Sequence, residues 1–215
     1  MSANVTEKNF ASRNRKSQRE FRKRQLIDAT IDCIDKLGIS QTTLARIAER
    51  AGISQGNVVF HFHSKDELLE QTLHFLNDEY TSNWQTALDN AGPDPLSQLQ
   101  ALIQASFAPQ VFNRKKISVW YAFWGESRSR PKYMRVCGAS DRAFSETILK
   151  LCRAIEARDG SSLSPQTAAH SIEGTIDGMW QNFLLGPPGF KRAQAISTIY
   201  ELLESIFPQR DSTDK

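Results

Sequence analysis

Four adjacent residues, Ser54-Gln55-Gly56-Asn57, carry side-chain chemistry that can read the edge of a base pair. Gln and Asn amides can each make paired hydrogen bonds to N6 and N7 of adenine, and Gly56 lets a backbone come close. A second set lies further along the chain. Trp120, Tyr121 and Trp124, with Trp180 and Phe183 from a later segment, offer aromatic faces that can hold a quaternary ammonium by cation–π attraction. Glu126 and Asp177 add negative complement, with plain hydrophobic core as the alternative for each ring. Asp177, among Ile176, Met179 and Trp180, demands a partner, either a ligand or a basic side chain such as Arg142.

The elements that must position these groups read as helices throughout. Leu26, Ala29, Thr30, Cys33, Ile34 and Leu37 recur at three- and four-residue steps in a first helix from Arg19, which Gly38 can end. Thr42 offers an N-cap oxygen to a short second helix with the stripe Leu44, Ile47, Ala48 and Ala51, stopped by Gly52. Ser54 then caps an equally short third helix through Val58, Val59 and Phe60. Ser64-Lys65-Asp66-Glu67 is a capping box ahead of a long fourth helix, which Ala91-Gly92-Pro93 breaks. Further helices are expected over 95–108, 114–127, 131–158, 165–185 and 191–207, with Ser164-Pro165 opening the fourth of these five. No stretch alternates with period two. The expected fold is all-α with about nine helices: a flexible basic arm (1–18), a three-helix helix-turn-helix domain (19–65), and a helical effector-binding and dimerisation domain (66–210).

Residues 42–62, TTLARIAERAGISQGNVVFHF, have the layout of a helix-turn-helix, whose second helix meets base edges in the major groove while its first crosses the backbone. Together with Leu26-Ile27-Asp28-Ala29-Thr30, Gly38 and Ser64-Lys65-Asp66-Glu67-Leu68-Leu69, this segment resembles the DNA-binding domain of the TetR family of transcriptional repressors. The resemblance implies base reading from Ser54, Gln55, Gly56 and Asn57, and phosphate contacts from His61 and Lys65. It places Thr42, Thr43 and Arg46 where the first helix of the motif crosses the backbone. Val59 departs from the family pattern, standing where an aromatic, usually Tyr, is common, and Phe60 is also unusual.

From Trp120 to Glu126, with Pro131 following, and again from Ile176 to Trp180, the chain is similar to the regulatory domain of the BetI type within this family, repressors of choline-to-betaine genes. The resemblance implies release from a near-palindromic operator by a small-molecule effector, choline or another quaternary ammonium. The helix after Pro165 has a stripe of small residues (Ala168, Ser171, Thr175, Gly178) beside a stripe of large ones (Ile172, Ile176, Met179, Phe183). One face is expected to serve the core and the other, with the last helix, a homodimer interface.

Charge agrees with double-stranded DNA as partner once it is placed on the chain. The formal net charge is only +3 over 215 residues, yet Met1–Arg24 hold eight basic and two acidic side chains, a local +6, leaving −3 on the other 191. No Gly-rich phosphate loop, G-x-S-x-G or H-E-x-x-H is present, so no catalytic residue and no cofactor is expected. His61 and His63, two apart, point to different helix faces, so no metal site is expected either. The most apolar stretch, 117–125, is far shorter than the roughly 20 residues a membrane helix needs. Three cysteines in unpaired spacing suit a reducing cytoplasm.

Overall fold

A computed structural model describes residues 3–126, 131–186 and 189–208. Among them the chain is all-helical and has no strand, in nine helices: α1 (Ala3–Gln41), α2 (Leu44–Ala51), α3 (Gln55–His61), α4 (Lys65–Asn90), α5 (Pro95–Ser106), α6 (Arg114–Glu126), α7 (Pro131–Asp159), α8 (Pro165–Leu185) and α9 (Arg192–Ile206).

The start of α1 departs from expectation. It begins at Ala3, so the basic segment expected to be a flexible arm is helical. No Gly or Pro interrupts residues 3–37, and Lys, Arg, Gln, Glu and Ala are good helix formers, so local propensity carries the helix upstream of its apolar stripe. At the other end Gly38 takes φ +75°, a left-handed conformation that suits glycine, and kinks the chain. The cap of α2 is Thr43, whose hydroxyl accepts the Arg46 N–H at 3.3 Å. Thr42, expected there, is fully buried and donates its hydroxyl hydrogen bond to Gly38 O at 2.8 Å.

Helices of eight and seven residues cannot hold themselves in water. Ile47 and Ala48 of α2 and Val58 of α3 are therefore buried against Leu26, Thr30, Cys33 and Ile34 of α1, with Phe62, Leu68 and Leu69 closing the core from the α4 side. The capping box forms with one shift. Ser64 Oγ accepts the Glu67 N–H at 3.1 Å, but the Glu67 carboxylate takes the His63 N–H at 2.9 Å rather than the amide of Ser64 itself.

Helix α4 runs unbroken from this head into the larger body, so the domain division expected at 65–66 falls at the first turn of a continuous helix. In the body α4 packs on α5 and α7, α7 on α8, α8 on α9, and α6 on both α1 and α8. Leu99, Leu102, Phe107, Ile117, Ile148, Ile155, Ile172 and Ile199 form the buried centre. On α8 the expected small-residue stripe is largely covered, with Ala168 buried and Ser171, Thr175 and Gly178 half-buried. Thr167, His170, Gly174 and Gln181 of this helix are exposed, and Leu185 is its one large exposed apolar residue. All three cysteines are buried and free, and no described helix is long and apolar enough to cross a membrane.

Because Ser64 fixes where α4 begins, Ser64→Ala is expected to cost about 1 kcal/mol and to lower the melting temperature by about 2–4 °C. A calorimetric melt unchanged within a degree would show that the cap does not anchor the helix.

Candidate nucleic-acid interface and ligand cavity

Gly52, at φ +67°, turns the chain after α2 while its N–H is held by Ala48 O and Glu49 O. Ser54 then caps α3 by accepting the Asn57 N–H at 3.3 Å. With Val58 turned fully inward, Gln55, Gly56 and Asn57 are left exposed, and neither amide side chain makes a hydrogen bond within the described residues. Both are free to pair with an external edge. Thr43 and Arg46 are exposed as well, the Arg46 guanidinium donating to Gln41 O at 2.6 Å. The buried Thr42 cannot bring its side chain to that surface and acts only through the turn it closes.

His61 is half-buried, and its Nδ1 lacks a hydrogen-bond partner. Burial, followed by the positive field of Arg19, Lys23 and Arg22 on α1, holds its pKa below the ordinary histidine value. That field ties the basic part of α1 to the C-terminal end of α3. Lys65 donates to Ile39 O at 2.7 Å and stands 3.5 Å from Ser40 O, clamping the end of α1 to the start of α4. An ammonium has three donors, so a third remains for an external acceptor.

Four helices of the body enclose a cavity of about 300 Å³. Its walls are Tyr80 from α4, Trp120 and Trp124 from α6, Tyr133 and Phe144 from α7, and Trp180 from α8. Trp124 and Trp180 lie nearly parallel, 19° apart with centroids 6.4 Å apart, and Tyr80 meets Trp180 edge-on at 5.8 Å. The rings are locked by their polar edges. The Trp180 indole N–H donates to Ser106 O at 3.1 Å, and that of Trp124 donates to the Tyr133 hydroxyl.

Asp141, Asp177 and Glu173 also line this cavity, and among the described residues no Lys or Arg does. Asp141 is exposed as a residue, but desolvation of its carboxyl by surrounding protein atoms raises it to about 6, with Arg142 beside it opposing the shift. Asp177 stands on the open side of the cavity rather than buried in the core, yet protein atoms crowd its carboxyl. That desolvation, then repulsion from Glu173 and Asp141, raises it to about 6 as well. No ion pair to Arg142 or to any other cation relieves it among the described residues, so the basic partner considered for Asp177 is absent. Glu173 accepts a hydrogen bond from the Ser145 hydroxyl at 2.7 Å.

Of the residues expected to bind a ligand, Trp120, Trp124, Asp177 and Trp180 come together. Tyr121 and Phe183 do not line the cavity. The Tyr121 hydroxyl donates to Asp177 O at 3.1 Å, and the Phe183 ring packs on Phe112 at 4.4 Å, so both brace the walls from behind. The Glu126 side chain lies outside the described residues. Tyr80, Tyr133, Asp141, Phe144 and Glu173 were missed, because each looks like an ordinary core or surface position of its own helix until four helices meet.

Helix α6 joins the two sites. Upstream of its cavity tryptophans, Lys115 pairs with Asp32 of α1, which also takes Arg50 of α2 at 2.6 Å. Burial alone would push the Asp32 carboxyl up, but the two cations outweigh it and hold it below the usual carboxylate range. Lys116 pairs with Glu79 of α4, while the Arg24 guanidinium of α1 covers the Phe75 ring of α4 at 3.9 Å.

Residues 26–72 match the family described as bacterial regulatory proteins, tetR family, and residues 95–208 match the BetI-type transcriptional repressor C-terminal domain. The chain belongs to the TetR family, in its BetI-type branch. The HTH-type transcriptional regulator BetI of Paraburkholderia xenovorans is 34% identical over 90% of this chain and 97% of its own. BetI 1 of Chromohalobacter salexigens is 32% identical over 86% and 89%. Among solved structures, a putative transcriptional regulator from Saccharomonospora viridis in complex with choline has a TM-score of 0.76 at 20% identity, covering 87% of this chain and 98% of that one. As a TetR-family regulator the chain carries its DNA-binding unit on α1–α3 and its regulatory domain from α5 onward.

A raised carboxyl pKa means that the folded protein holds a proton the unfolded chain has already lost, so stability falls as pH climbs from about 4 through about 6. Asp177→Asn is expected to raise the melting temperature at pH 7.5, where the native carboxylate is ionised, by clearly more than at pH 5, where most of the native carboxyl is still protonated. Equal shifts at both pH values would show that charge crowding is not the cause.

Proposed function

We propose that this regulator is a homodimeric repressor whose two α3 helices enter successive major grooves of a near-palindromic operator, and that a quaternary ammonium of the choline class releases it. One observation carries the ligand reading: among the described residues, a cavity walled by six aromatic rings holds three acidic and no basic side chains. Aromatic faces attract a permanent cation without needing a hydrogen bond from it, and carboxylates short of a counter-ion gain most from its arrival. The choline complex of the Saccharomonospora viridis regulator, which shares the fold, supports the same class.

On the DNA side, Gln55, Gly56 and Asn57 read bases, Ser54 holds α3 in place, and Thr43, Arg46, His61 and Lys65 meet phosphates. Helices α8 and α9 supply the dimer contact, where the exposed Gly174 permits close approach of a second copy. Release follows if ligand between α4, α6, α7 and α8 moves α6, because α6 grips α1 and α4 through Lys115 and Lys116. That is coupling between two sites, with ligand favouring the arrangement that spans the operator poorly.

Choline titrated into the protein should quench tryptophan fluorescence and weaken operator retention in a gel shift. The double substitution Asp141→Asn with Asp177→Asn should weaken choline binding by at least tenfold. Affinity in the native protein should rise from pH 5 to pH 7.5, as the carboxyls with pKa about 6 ionise. Flat fluorescence with operator binding intact would assign the cavity to another ligand class.

Coupling has its own test. Lys115→Ala should leave choline affinity within about twofold while shrinking the ratio of operator affinities without and with choline. An undiminished ratio would place the path elsewhere.

A further inference from the structure

Phe60 is the most outward large apolar side chain of the described residues, 71% exposed near the C-terminal end of α3. Successive helical residues turn by about 100°, which sets Gly56 and Phe60, four apart, on the side of α3 opposite the fully buried Val58. Gln55 and Val59 flank that line on one side and Asn57 on the other. Helical side chains lean toward the N-terminus of their helix, so the Phe60 ring inclines over the turn that holds Gly56. That turn is open: a Cβ added to Gly56 would meet only Ser54 Oγ, at 3.9 Å. The ring itself has one aromatic neighbour, His61, edge-on at 5.2 Å.

Charge says what covers this ring. Arg19, Arg22 and Lys23 lie close enough to His61 to depress its titration, and α3 has no acidic residue. An exposed apolar side chain beside a histidine that lies in a cationic field fits a polyanion that also offers an apolar group. In the major groove that group is the C5-methyl of thymine.

We propose that Phe60 is a specificity-determining residue that packs on a thymine methyl in the groove, one helical turn beyond the point where Gly56 lets the backbone approach. It rests on the operator-reading role given above to α3, and it adds an apolar recognition element to the two amides. Val59, 42% exposed beside it, broadens the same apolar edge.

The test uses the full-length chain and a duplex selected by it from a random pool, with each thymine then replaced in turn by deoxyuridine. For the native protein, one thymine per half-site should lose about fourfold in affinity on replacement, the ratio for withdrawing one methyl-sized group from an apolar contact. Phe60→Ala should bind the thymine duplex correspondingly weaker and be indifferent to that replacement, while Phe60→Leu keeps part of the discrimination. Matching melting curves confirm that the exposed substitutions leave the fold intact. The proposal is overturned if losses from Phe60→Ala and from deoxyuridine multiply, if no single thymine distinguishes the native protein from Phe60→Ala, or if Phe60→Ala binds as well as native. Enrichment of no duplex at all would overturn the operator-reading role and this proposal together. Enrichment with multiplying losses overturns this one alone.

Discussion

Two helices of eight and seven residues present the DNA-facing surface, and neither can exist without a wall to lean on. Ile47, Ala48 and Val58 are buried because α1 and α4 supply that wall. The requirement shapes the rest of the molecule. A wall long enough to hold both short helices also extends past them, and α4, 26 residues long in all, runs on into the body, where Asn77 and Tyr80 line the cavity. The first turns of α4 wall α3 and its middle lines the cavity, so one helix gives a displacement at either place a mechanical path to the other.

Helix α6 closes the loop. Its Trp120 and Trp124 face the cavity, while Lys115 and Lys116, one and two turns upstream, hold Asp32 on α1 and Glu79 on α4. These pairs are partly open to solvent and each contributes modestly to stability. Their value lies in position. Asp32 gathers Arg50 from α2 as well, so a single carboxylate ties the first helix of the helix-turn-helix to the helix that carries the cavity tryptophans.

Punctuation made most of the fold legible in the sequence. Ser54, Ser64 and Ser164-Pro165 mark helix starts, and Gly38, Gly52 and Gly92 mark ends, because caps and left-handed turns depend on local chemistry alone. Where two neighbouring threonines compete, local chemistry does not decide. Thr42 and Thr43 both can cap, and the burial of Thr42 under the Gly38 kink assigned the cap to Thr43. The start of α1 was misjudged for a different reason: absence of an apolar stripe argues against burial, not against helix. In the cavity, Trp120, Trp124, Asp177 and Trp180 could be chosen because they cluster along single helices. Tyr80, Tyr133, Asp141 and Phe144 could not, since their common property is a meeting of helices far apart in sequence.

The cavity also explains how a small cation could do mechanical work on the proposed reading. At neutral pH three carboxyls share a space with no counter-ion among the described residues, and two of them have raised pKa values, so charge is crowded there. A ligand can shift an equilibrium only by the difference in its interaction with two states. A quaternary ammonium gains most in the state that brings Asp141 of α7 and Asp177 of α8 closest to the α6 tryptophans, and that same approach is opposed in its absence. On that reading a cation relieves the repulsion and draws these helices together, and a movement of α6 reaches α1 through the Lys115–Asp32 pair.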